Sequence, residues 1–475
     1  MKDCWGLKEA KEITSRMVGK KVLIYFDPDV DGLFGGLMCY RFLKGIGCNE
    51  MTYYINENRE HGFKIPVDVV KEHWRVDSIL AVDFSMSRAE IEEVVDTGIE
   101  ILLLDHHLTG ESQVLVEKNG KMGLCINNQD PIVEDEWRFL SGCGVAYEVL
   151  SQIYEGLKSE ENAALVGITL LSDIRDIEND HARDYLEVLY NHKYNGYIRY
   201  LIDCCGGTGR KFDFGTPRLD REFVDFQLSP KINSSLRFGM EDKMVKWVLG
   251  DESAMNANLQ SEQRELVEQL MDDIKITELP NIRVITLIKK GKSGVSNFVG
   301  LIANRMINHE GKEKSVFCFM ADEHGFRRGS FRGRNGEAHY LSQVQEFLDA
   351  EGHGAAFGIK GLKGRIDWKA LDMACLKAED GLVSNQNIIK VGSLLEVGRR
   401  RLENIARENQ FRLSQNVMKI EITGNNYEVS FKNNKVIKYN VNGFEVVGFG
   451  DVLMATGYIF PTMKNGYMKL YLVKR

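Results

Sequence analysis

Three short apolar runs in the first part of the chain alternate with segments of helical periodicity. Residues 22–26, 79–82 and 101–104 are apolar throughout, a pattern typical of strands buried on both faces of a parallel sheet. The segments between and after them, such as 35–43, 88–96 and 145–157, suit crossover helices. Residues 20–180 therefore predict an α/β domain of βαβ units with a parallel sheet.

The patterns change further along the chain. Residues 253–276 form a polar segment rich in Gln, Glu and Asn that predicts one long helix. The apolar runs 282–288 and 316–320 bracket a helical segment at 298–308, which predicts a second, smaller α/β domain.

The C-terminal residues show a helix and then strand-like alternation. A charged helix is predicted over 399–411, and period-two alternation from 417 onward predicts a β-rich domain, with an OB-like barrel as a candidate form. The expected domains are a catalytic domain at 1–240, a helical linker at 241–279, a substrate-binding domain at 280–375, and a helix with a β-rich domain at 376–475.

Length and composition limit the class of protein. At 475 residues the chain is too long for a single compact core. Its nine cysteines contain no CxxC pair, which argues against a zinc ribbon or a disulfide scaffold and favours a reducing cytoplasm. No apolar run approaches the roughly 20 residues that span a bilayer, and the start lacks the apolar core of a signal peptide. We therefore expect a cytoplasmic monomer without a membrane partner.

Acidic and imidazole side chains follow each of the three apolar runs. Because the carboxyl ends of parallel strands meet at one edge of a sheet, these groups are expected to lie together. Gathered carboxylates repel one another unless a multivalent cation neutralises them. Mixed carboxylate and imidazole ligands suit Mn²⁺, whereas Mg²⁺ prefers oxygen donors. The candidate metal ligands are Asp27, Asp29, Asp31, Asp83, His106 and Asp173, with Asp105 and His107 beside them.

Simpler explanations exist for each motif alone. The spacing of Asp27, Asp29 and Asp31 also occurs in calcium-binding or solvated acidic loops, although an EF-hand would need an acid at loop position 12 that residues 26–37 do not offer. An isolated pair of histidines is more often part of a core. Three acid clusters at three strand ends favour a metal centre.

The motifs together resemble those of the DHH-superfamily phosphoesterases, and most closely the RecJ-type single-strand-specific exonucleases. The resemblance covers residues 20–362. Its motifs are Asp27-Pro28-Asp29-Val30-Asp31-Gly32, Val82-Asp83-Phe84, Asp105-His106-His107, and residues 167–173, 232–237, 296–303, 329–332 and 352–358, the last three in a DHHA1-type domain. Two positions depart from the family pattern: Glu351 replaces a usual glycine, and Asn128 stands where the family often has proline.

The resemblance implies a role for each candidate residue of the first domain. Asp83 would bridge two ions, Mn²⁺ or Mg²⁺. Asp31, His106 and Asp173 would complete the shell of one ion, and Asp27 and Asp29 would hold the other. Asp105 would orient His106, and His107 would lie beside the scissile phosphate. The implied catalytic residues are Asp83, Asp105 and His107.

The resemblance also implies a set of residues that bind the substrate. They are His107, Asn233, Arg237, Ser330, Arg332, Gly352, His353 and Gly354. Arg327, Arg328, Arg332 and Arg334 form the strongest basic patch, because the guanidinium fork matches phosphate geometry. The same four arginines are also compatible with a solvated charged strand. Phe331, between them, suits either base stacking or a core position.

The function that the resemblance implies is a metal-dependent exonuclease. It would hydrolyse single-stranded DNA 5′→3′ with water activated by two ions and release 5′-mononucleotides. One alternative is a phosphoesterase of the same superfamily that acts on oligoribonucleotides or small nucleotides. The other is a non-catalytic replication scaffold. The expected partner is single-stranded nucleic acid, with DNA favoured, and the C-terminal domain is a candidate contact for a replication or repair protein.

Overall fold

The part of the chain that the structure, a computed structural model, describes contains three large β-sheets and one two-stranded pair, joined by helices. The residues that it describes are 5–56, 70, 75–107, 113–173, 175, 177, 179–191, 196–205, 221–254, 259–288, 295–322, 325–335, 338–379, 388–391, 397, 399–408, 417–421, 427–432, 436–441, 444–449, 456–464 and 467–473.

The first sheet has six strands in the order β2-β1-β3-β4-β6-β5. All neighbouring strands pair in parallel except β5 and β6, which are antiparallel. The parallel sheet predicted from the apolar runs is therefore confirmed. The strands are β1 (Lys21–Phe26), β2 (Glu50–Ile55), β3 (Ser78–Val82), β4 (Glu100–Asp105), β5 (Val114–Lys118) and β6 (Lys121–Asn127).

Helices cover both faces of this sheet, and each face has its own hydrophobic core. Strands β3 and β4 are buried at every residue, as the apolar runs 79–82 and 101–104 within them predict. The helices of this region are α1 (Leu7–Met17), α2 (Val30–Gly45), α3 (Arg88–Asp96), α4 (Gly142–Leu150), α5 (Glu160–Ser172), α6 (Asp180–Asn191), α7 (Gly196–Cys205), α8 (Ser229–Arg237) and α9 (Glu241–Val248).

Polar caps define where the helices next to the sheet begin. Asp29 caps α2 by accepting from the backbone N–H of Gly32 at 2.9 Å. Ser141 caps α4 by accepting from the N–H of Gly144 at 3.3 Å. These caps satisfy N–H groups that a helix leaves without an internal acceptor, and they fix the first turns of α2 and α4 at the sheet edge.

The second sheet has six strands in the order β13-β14-β12-β11-β8-β7. Only β8 and β11 pair in parallel, so this is a mixed sheet. The strands are β7 (Ile274–Glu278), β8 (Ile282–Ile288), β11 (Ser315–Asp322), β12 (Gly325–Arg332), β13 (Leu348–His353) and β14 (Ala356–Leu362), with a separate two-residue pair, β9 (Asn308–His309) and β10 (Lys312–Glu313). Its helices are α10 (Leu259–Met271), α11 (Val299–Met306), α12 (Tyr340–Val344) and α13 (Trp368–Glu379).

The segment predicted as one long helix differs from the structure at its end. Helix α10 stops at Met271, and Ile274 begins the edge strand β7. Asp272 and Asp273 are weak helix formers, and the alternation that follows pairs with β8. Tertiary pairing therefore overrides the helical pattern there.

The third sheet has seven strands in the order β15-β16-β20-β21-β19-β18-β17, next to α14 (Arg399–Glu408). It confirms a β-rich C-terminal region, and its OB-like form stays a prediction. The strands are β15 (Ile388–Val391), β16 (Val417–Glu421), β17 (Tyr427–Lys432), β18 (Val436–Val441), β19 (Phe444–Phe449), β20 (Thr456–Lys464) and β21 (Tyr467–Val473).

The cores show which segments pack together. Residues of α9, among them Trp247, belong to the core of the first sheet, while Val267 of α10 packs against the second sheet. The domain boundaries expected from the sequence stay predictions. Among the described helices, none has the length and apolar character needed to cross a bilayer.

Candidate metal centre

Acidic and imidazole side chains gather at the carboxyl edge of the first sheet. Strands β1, β3 and β4 are neighbours there, and α5 ends at the same place. The atoms that could bind a metal fall into three groups, each within 4.8 Å. These groups are Asp27, Asp29 and Asp83; Asp31, His106 and Asp173; and Asp83, His106 and His107.

His106 lies in the middle of this cluster. Its Nε2 is 3.0 Å from Oδ1 of Asp83 and 3.7 Å from Oδ2 of Asp31. Its Nδ1 is 3.7 Å from Oδ2 of Asp173. Asp27 and Asp173, which are 146 positions apart in the sequence, thus belong to one site.

Asp31 is held by the start of helix α4. The backbone N–H groups of Gly142 and Cys143 donate to its two carboxylate oxygens, at 2.6 Å and 3.1 Å. A helix N-terminus favours negative charge, because its N–H groups lack partners within the helix. The carboxylate therefore has a fixed position and keeps its remaining lone pairs for a cation.

Asp83 occupies a strained position. It follows β3 with a φ of +69°, a left-handed conformation that costs a side-chain-bearing residue about 1 kcal/mol or more. A Cβ atom at Gly142 would lie 2.6 Å from the Cβ of Asp83, so only glycine allows α4 to approach this closely. Strained backbone of this kind is frequent at functional sites.

Crowding of the carboxyl groups shifts their protonation. Burial, followed by the charges of Asp173 and Asp29, raises the pKa of Asp31 to about 7. Burial and the surrounding carboxylates, led by Asp31, also raise the pKa of Asp83 well above its usual range. The cluster therefore resists full ionisation at neutral pH until positive charge enters it. This donor set fits divalent cations such as Mn²⁺ or Mg²⁺.

His107 forms a pair with Asp105. Its Nδ1 is 2.7 Å from Oδ1 of Asp105, and its backbone N–H donates to the same oxygen at 3.3 Å. Burial alone would lower the pKa of His107, but the charge and hydrogen bond of Asp105 outweigh it and raise the pKa to about 10. Among the described hydrogen bonds, Asp105 therefore holds His107, and its expected role of orienting His106 stays a prediction.

Asn127 supports this pair and was not among the predicted site residues. It is fully buried, and its Nδ2 donates to Oδ2 of Asp105 at 3.0 Å and to the carbonyl of His107 at 2.9 Å. Its position as the last residue of β6, beside β4, is the signal that could have identified it.

Ser330 and Arg332 lie together on β12 of the second sheet. Nη1 of Arg332 donates to Oγ of Ser330 at 2.8 Å. A Cβ atom on Gly300 would lie 2.9 Å from Nη2 of Arg332, so the guanidinium lies against the first turn of α11. We call Gly300, Ser330 and Arg332 the cradle. It combines a guanidinium, a hydroxyl and a helix N-terminus, which are all groups that bind phosphate.

The neighbouring residues of β12 have other roles. Arg334 donates to both carboxylate oxygens of Glu379, which also accepts from the Tyr340 hydroxyl. Phe331 is fully buried in the core of the second sheet, so the core position is correct and base stacking is not. The side chain of Arg327 lies outside the described residues.

Arg237 connects the two domains. Its Nε donates to the carbonyl of Asn297 at 3.1 Å, and its Nη1 donates to Oε1 of Gln263 on α10 at 3.2 Å. Asn297 Nδ2 donates back to the carbonyl of Arg237 at 3.2 Å. Asn233, one turn earlier on α8, has a buried Oδ1 without a donor in the described part of the chain.

The glycine–histidine signature lies at the end of β13. Gly352 has a φ of +139°, which favours glycine, and a Cβ at Gly354 would lie 3.1 Å from Nδ1 of His339. The side chain of His353 lies outside the described residues. The structure thus brings the predicted metal ligands together, and it places the other predicted substrate residues on α8 and on the second sheet.

Comparisons with known proteins agree with these motifs. Residues 21–171 match the profile of the DHH family, N-terminal domain. The single-stranded-DNA-specific exonuclease RecJ of Thermus thermophilus is 25% identical over 323 residues, which are 64% of this chain and 44% of that protein. RecJ of Bacillus subtilis is 22% identical over 408 residues, which are 81% of this chain and 49% of that protein. The chain spans about half the length of these curated relatives.

A solved structure shows the same fold. The crystal structure of RecJ in complex with Mn²⁺ from Thermus thermophilus superposes with a TM-score of 0.69 at 20% identity and covers 99% of this chain and 72% of that one. The resemblance inferred from the motifs is confirmed: residues 21–171 match the N-terminal domain of the DHH family, and the chain is similar to RecJ proteins in sequence and fold.

Proposed function

We propose that this chain is a metal-dependent exonuclease that hydrolyses single-stranded DNA 5′→3′ and releases 5′-mononucleotides. One observation carries the proposal: carboxylates and a histidine from four separate segments form ligand groups whose atoms lie within 4.8 Å. The names of the relatives, which are single-stranded-DNA-specific exonucleases, support the choice of substrate.

The proposed centre would hold two divalent cations, Mn²⁺ or Mg²⁺. Asp31, His106 and Asp173 would hold one ion, and Asp27 and Asp29 would hold the other. Asp83, which shares one ligand group with Asp27 and Asp29 and another with His106, would contribute to both. Such ions lower the pKa of water and neutralise charge on a phosphate.

The chain's own residues would orient the scissile phosphate. In the metal-free chain Asp105, together with the charges of Asp27 and Asp173, raises the pKa of His107 to about 10, so that ring carries a proton at neutral pH before cations bind. An imidazolium at the edge of the centre can donate a hydrogen bond to a phosphate oxygen and offset its charge. Asp105 and Asn127 keep this ring in place through the hydrogen bonds described above. In this proposal Asp83 and His107 touch the reacting groups, and Asp105 positions His107.

The cradle would hold a second phosphate of the strand. Arg332 supplies charged donors, Ser330 orients the guanidinium by accepting from its Nη1, and Gly300 lies in the first turn of α11 beside it. Gly352, His353 and Gly354 belong to the same sheet and complete the proposed substrate surface, with Asn233 and Arg237 beside it on α8. Because the net charge is -8, such local donors rather than a global field would attract the polyanion.

The decisive experiment is a nuclease assay with end-labelled substrates. Single-stranded and duplex DNA, labelled at either end, are incubated with the purified chain in Mn²⁺ or in EDTA. We expect Mn²⁺-dependent loss of single strands only, with the 5′ label released immediately as a mononucleotide and the 3′ label moving down a ladder. If no DNA is hydrolysed with any divalent cation, the proposal is wrong.

The small-nucleotide phosphoesterase is separated from this proposal by substrate length. The third sheet and α14 extend the chain beyond the first two domains, which favours a polymer. Equal assays with a 50-nucleotide strand and with a dinucleotide should show faster turnover of the long strand. A preference for the dinucleotide would favour the alternative. A cytoplasmic location, a monomeric state and a replication or repair partner at the C-terminal domain stay part of the proposal.

A further inference from the structure

The loop between β6 and α4 is held from one side by buried amide side chains. Residues 129–141 lead from the end of the sheet to the N–H groups that hold Asp31. Nδ2 of Asn128 donates to the carbonyls of Trp137 and Leu140, both at 3.0 Å. Nε2 of Gln129 donates to the carbonyl of Arg138 at 2.9 Å.

Arg175 holds the same loop from the other side. Its Nη2 donates to the carbonyl of Arg138 at 2.6 Å, and its Nε donates to the carbonyl of Phe139 at 3.1 Å. Four consecutive carbonyls, 137 to 140, therefore accept from side chains. Loop carbonyls usually bond to water, so side-chain donors at all four indicate a loop with a fixed position.

These donors are well buried. Asn128 is 0% exposed, and its Oδ1 accepts from Nε2 of Gln129 at 3.0 Å. The side chain of Arg175 is 14% exposed. Hydrogen bonds of buried amide and guanidinium groups constrain geometry strongly, because any displacement leaves a polar group without a partner.

Arg175 also lies beside a proposed metal ligand. Its Nε is 3.8 Å from Oδ2 of Asp173. The same side chain thus contacts Asp173 directly and the loop that ends at Gly142, whose N–H donates to Asp31. Asp31 and Asp173 are two members of one ligand group, and His106 is the third.

We propose that Asn128, Gln129 and Arg175 form a brace that sets the distance between Asp31 and Asp173. The brace thereby controls the affinity of the cation site made by Asp31, His106 and Asp173. These are positioning residues, since they act through the loop and the ligands. The inference rests on the proposed metal centre and deepens it.

Calorimetric titration of the metal-free full chain with Mn²⁺ alone tests the brace. The wild type should bind two ions. Asn128→Ala and Arg175→Met should lower the affinity for one of the two ions by roughly 10- to 100-fold, because the loss of groups that support metal ligands usually has an effect of this size. The affinity for the other ion should stay unchanged. Arg175→Lys, which keeps the charge but loses the fork, should give a smaller loss at the same ion.

A matched control removes a similar bond elsewhere. Arg16→Met deletes a guanidinium that donates to the carbonyl of Gly120 at 3.1 Å and to Oε1 of Glu100 at 2.7 Å, at the opposite end of the strands of the same sheet. It should leave both Mn²⁺ affinities unchanged. Amide hydrogen exchange of the metal-free protein provides a readout that does not depend on activity. The N–H groups of Gly142 and Cys143 should exchange faster in Asn128→Ala and in Arg175→Lys than in the wild type.

The possible results separate the brace from the metal centre. One possible result is that the wild type and every brace variant bind two ions with the same affinities and show the same amide exchange. This result would overturn the brace and leave the proposed function intact. Equal weakening of both ions together with a general fall in melting temperature would also overturn it, because that result describes a fold stabiliser. A wild type that binds no Mn²⁺ would overturn the metal centre and the brace together.

Discussion

Asp31 and Asp173 lie far apart in sequence and meet at the edge of the first sheet, whereas Arg332 and Arg334 of the second sheet are two residues apart and have different partners. Arg332 contacts Ser330 in the cradle, and Arg334 pairs with Glu379. Parallel strands bring their carboxyl ends together whatever the spacing in sequence. No such rule predicts where the side chains of a run of arginines lie, because each guanidinium can pair with a different carboxylate of the same chain.

The largest effect should come from Asp83, a carboxylate that belongs to two of the three ligand groups. Asp83→Asn would remove the proposed bridge between the ions and leave the volume unchanged. Loss of several kcal/mol of charge stabilisation corresponds to a fall in kcat of about 10³-fold or more. The measurement is kcat on single-stranded DNA in Mn²⁺, with circular dichroism to confirm folding. The matched control, Asp96→Asn on the exposed face of α3, should keep full activity.

Stability of the metal-free protein should depend on pH through Asp31. Its pKa is about 7 in the folded chain and near 3.8 when unfolded, so the folded state holds the proton more tightly. The tighter proton binding adds up to about 4 kcal/mol to the free energy of unfolding. This contribution is fully present below about pH 4 and is lost as the pH rises to about 7. Urea unfolding in EDTA should therefore show the wild type losing stability relative to Asp31→Asn across this range. Parallel curves for the two proteins would contradict the assignment.

A smaller effect is expected at the cradle. Arg332→Met would remove charge-assisted hydrogen bonds to the substrate worth about 1.5–3 kcal/mol. We expect KM for a 5′-phosphorylated strand to rise by about 10- to 100-fold with little change in kcat. Steady-state kinetics with and without the 5′-phosphate would check this. An unchanged KM would mean that the cradle is not a phosphate site.

The smallest effect on activity should come from the partner of Arg334. Glu379→Gln would weaken its bonds to Arg334 and Tyr340 and lower the free energy of unfolding by about 1–3 kcal/mol. KM and kcat below the melting temperature should stay unchanged. A rise in KM like that of Arg332→Met would show that the two arginines belong to one binding surface after all.

The sequence predicted the first sheet and its acidic edge well, for a physical reason. Strands such as β4 are apolar at nearly every position, and Asp105, His106 and His107 stand at the boundary where a buried strand ends. The resemblance to the family depended on the order of these motifs. The distances between the side chains, and the hydrogen bond between Asp105 and His107, are known only from the structure.

Other features depended on contacts between distant residues. The pairing of Arg334 with Glu379 spans 45 positions, and that of Arg175 with Phe139 spans 36. No local pattern encodes such bonds, because any exposed acid or carbonyl could serve as the acceptor. The strand β7 was missed for a similar reason, since its identity depends on β8.

The left-handed backbone at Asp83 has a consequence for any variant of this chain that no longer needs the metal centre. Glycine adopts that conformation without steric cost, and it would also remove one charge from a crowded acidic cluster. Such a replacement should make the metal-free fold more robust. The proposed metal centre therefore uses a carboxylate at this bend at the expense of the stability of the metal-free chain.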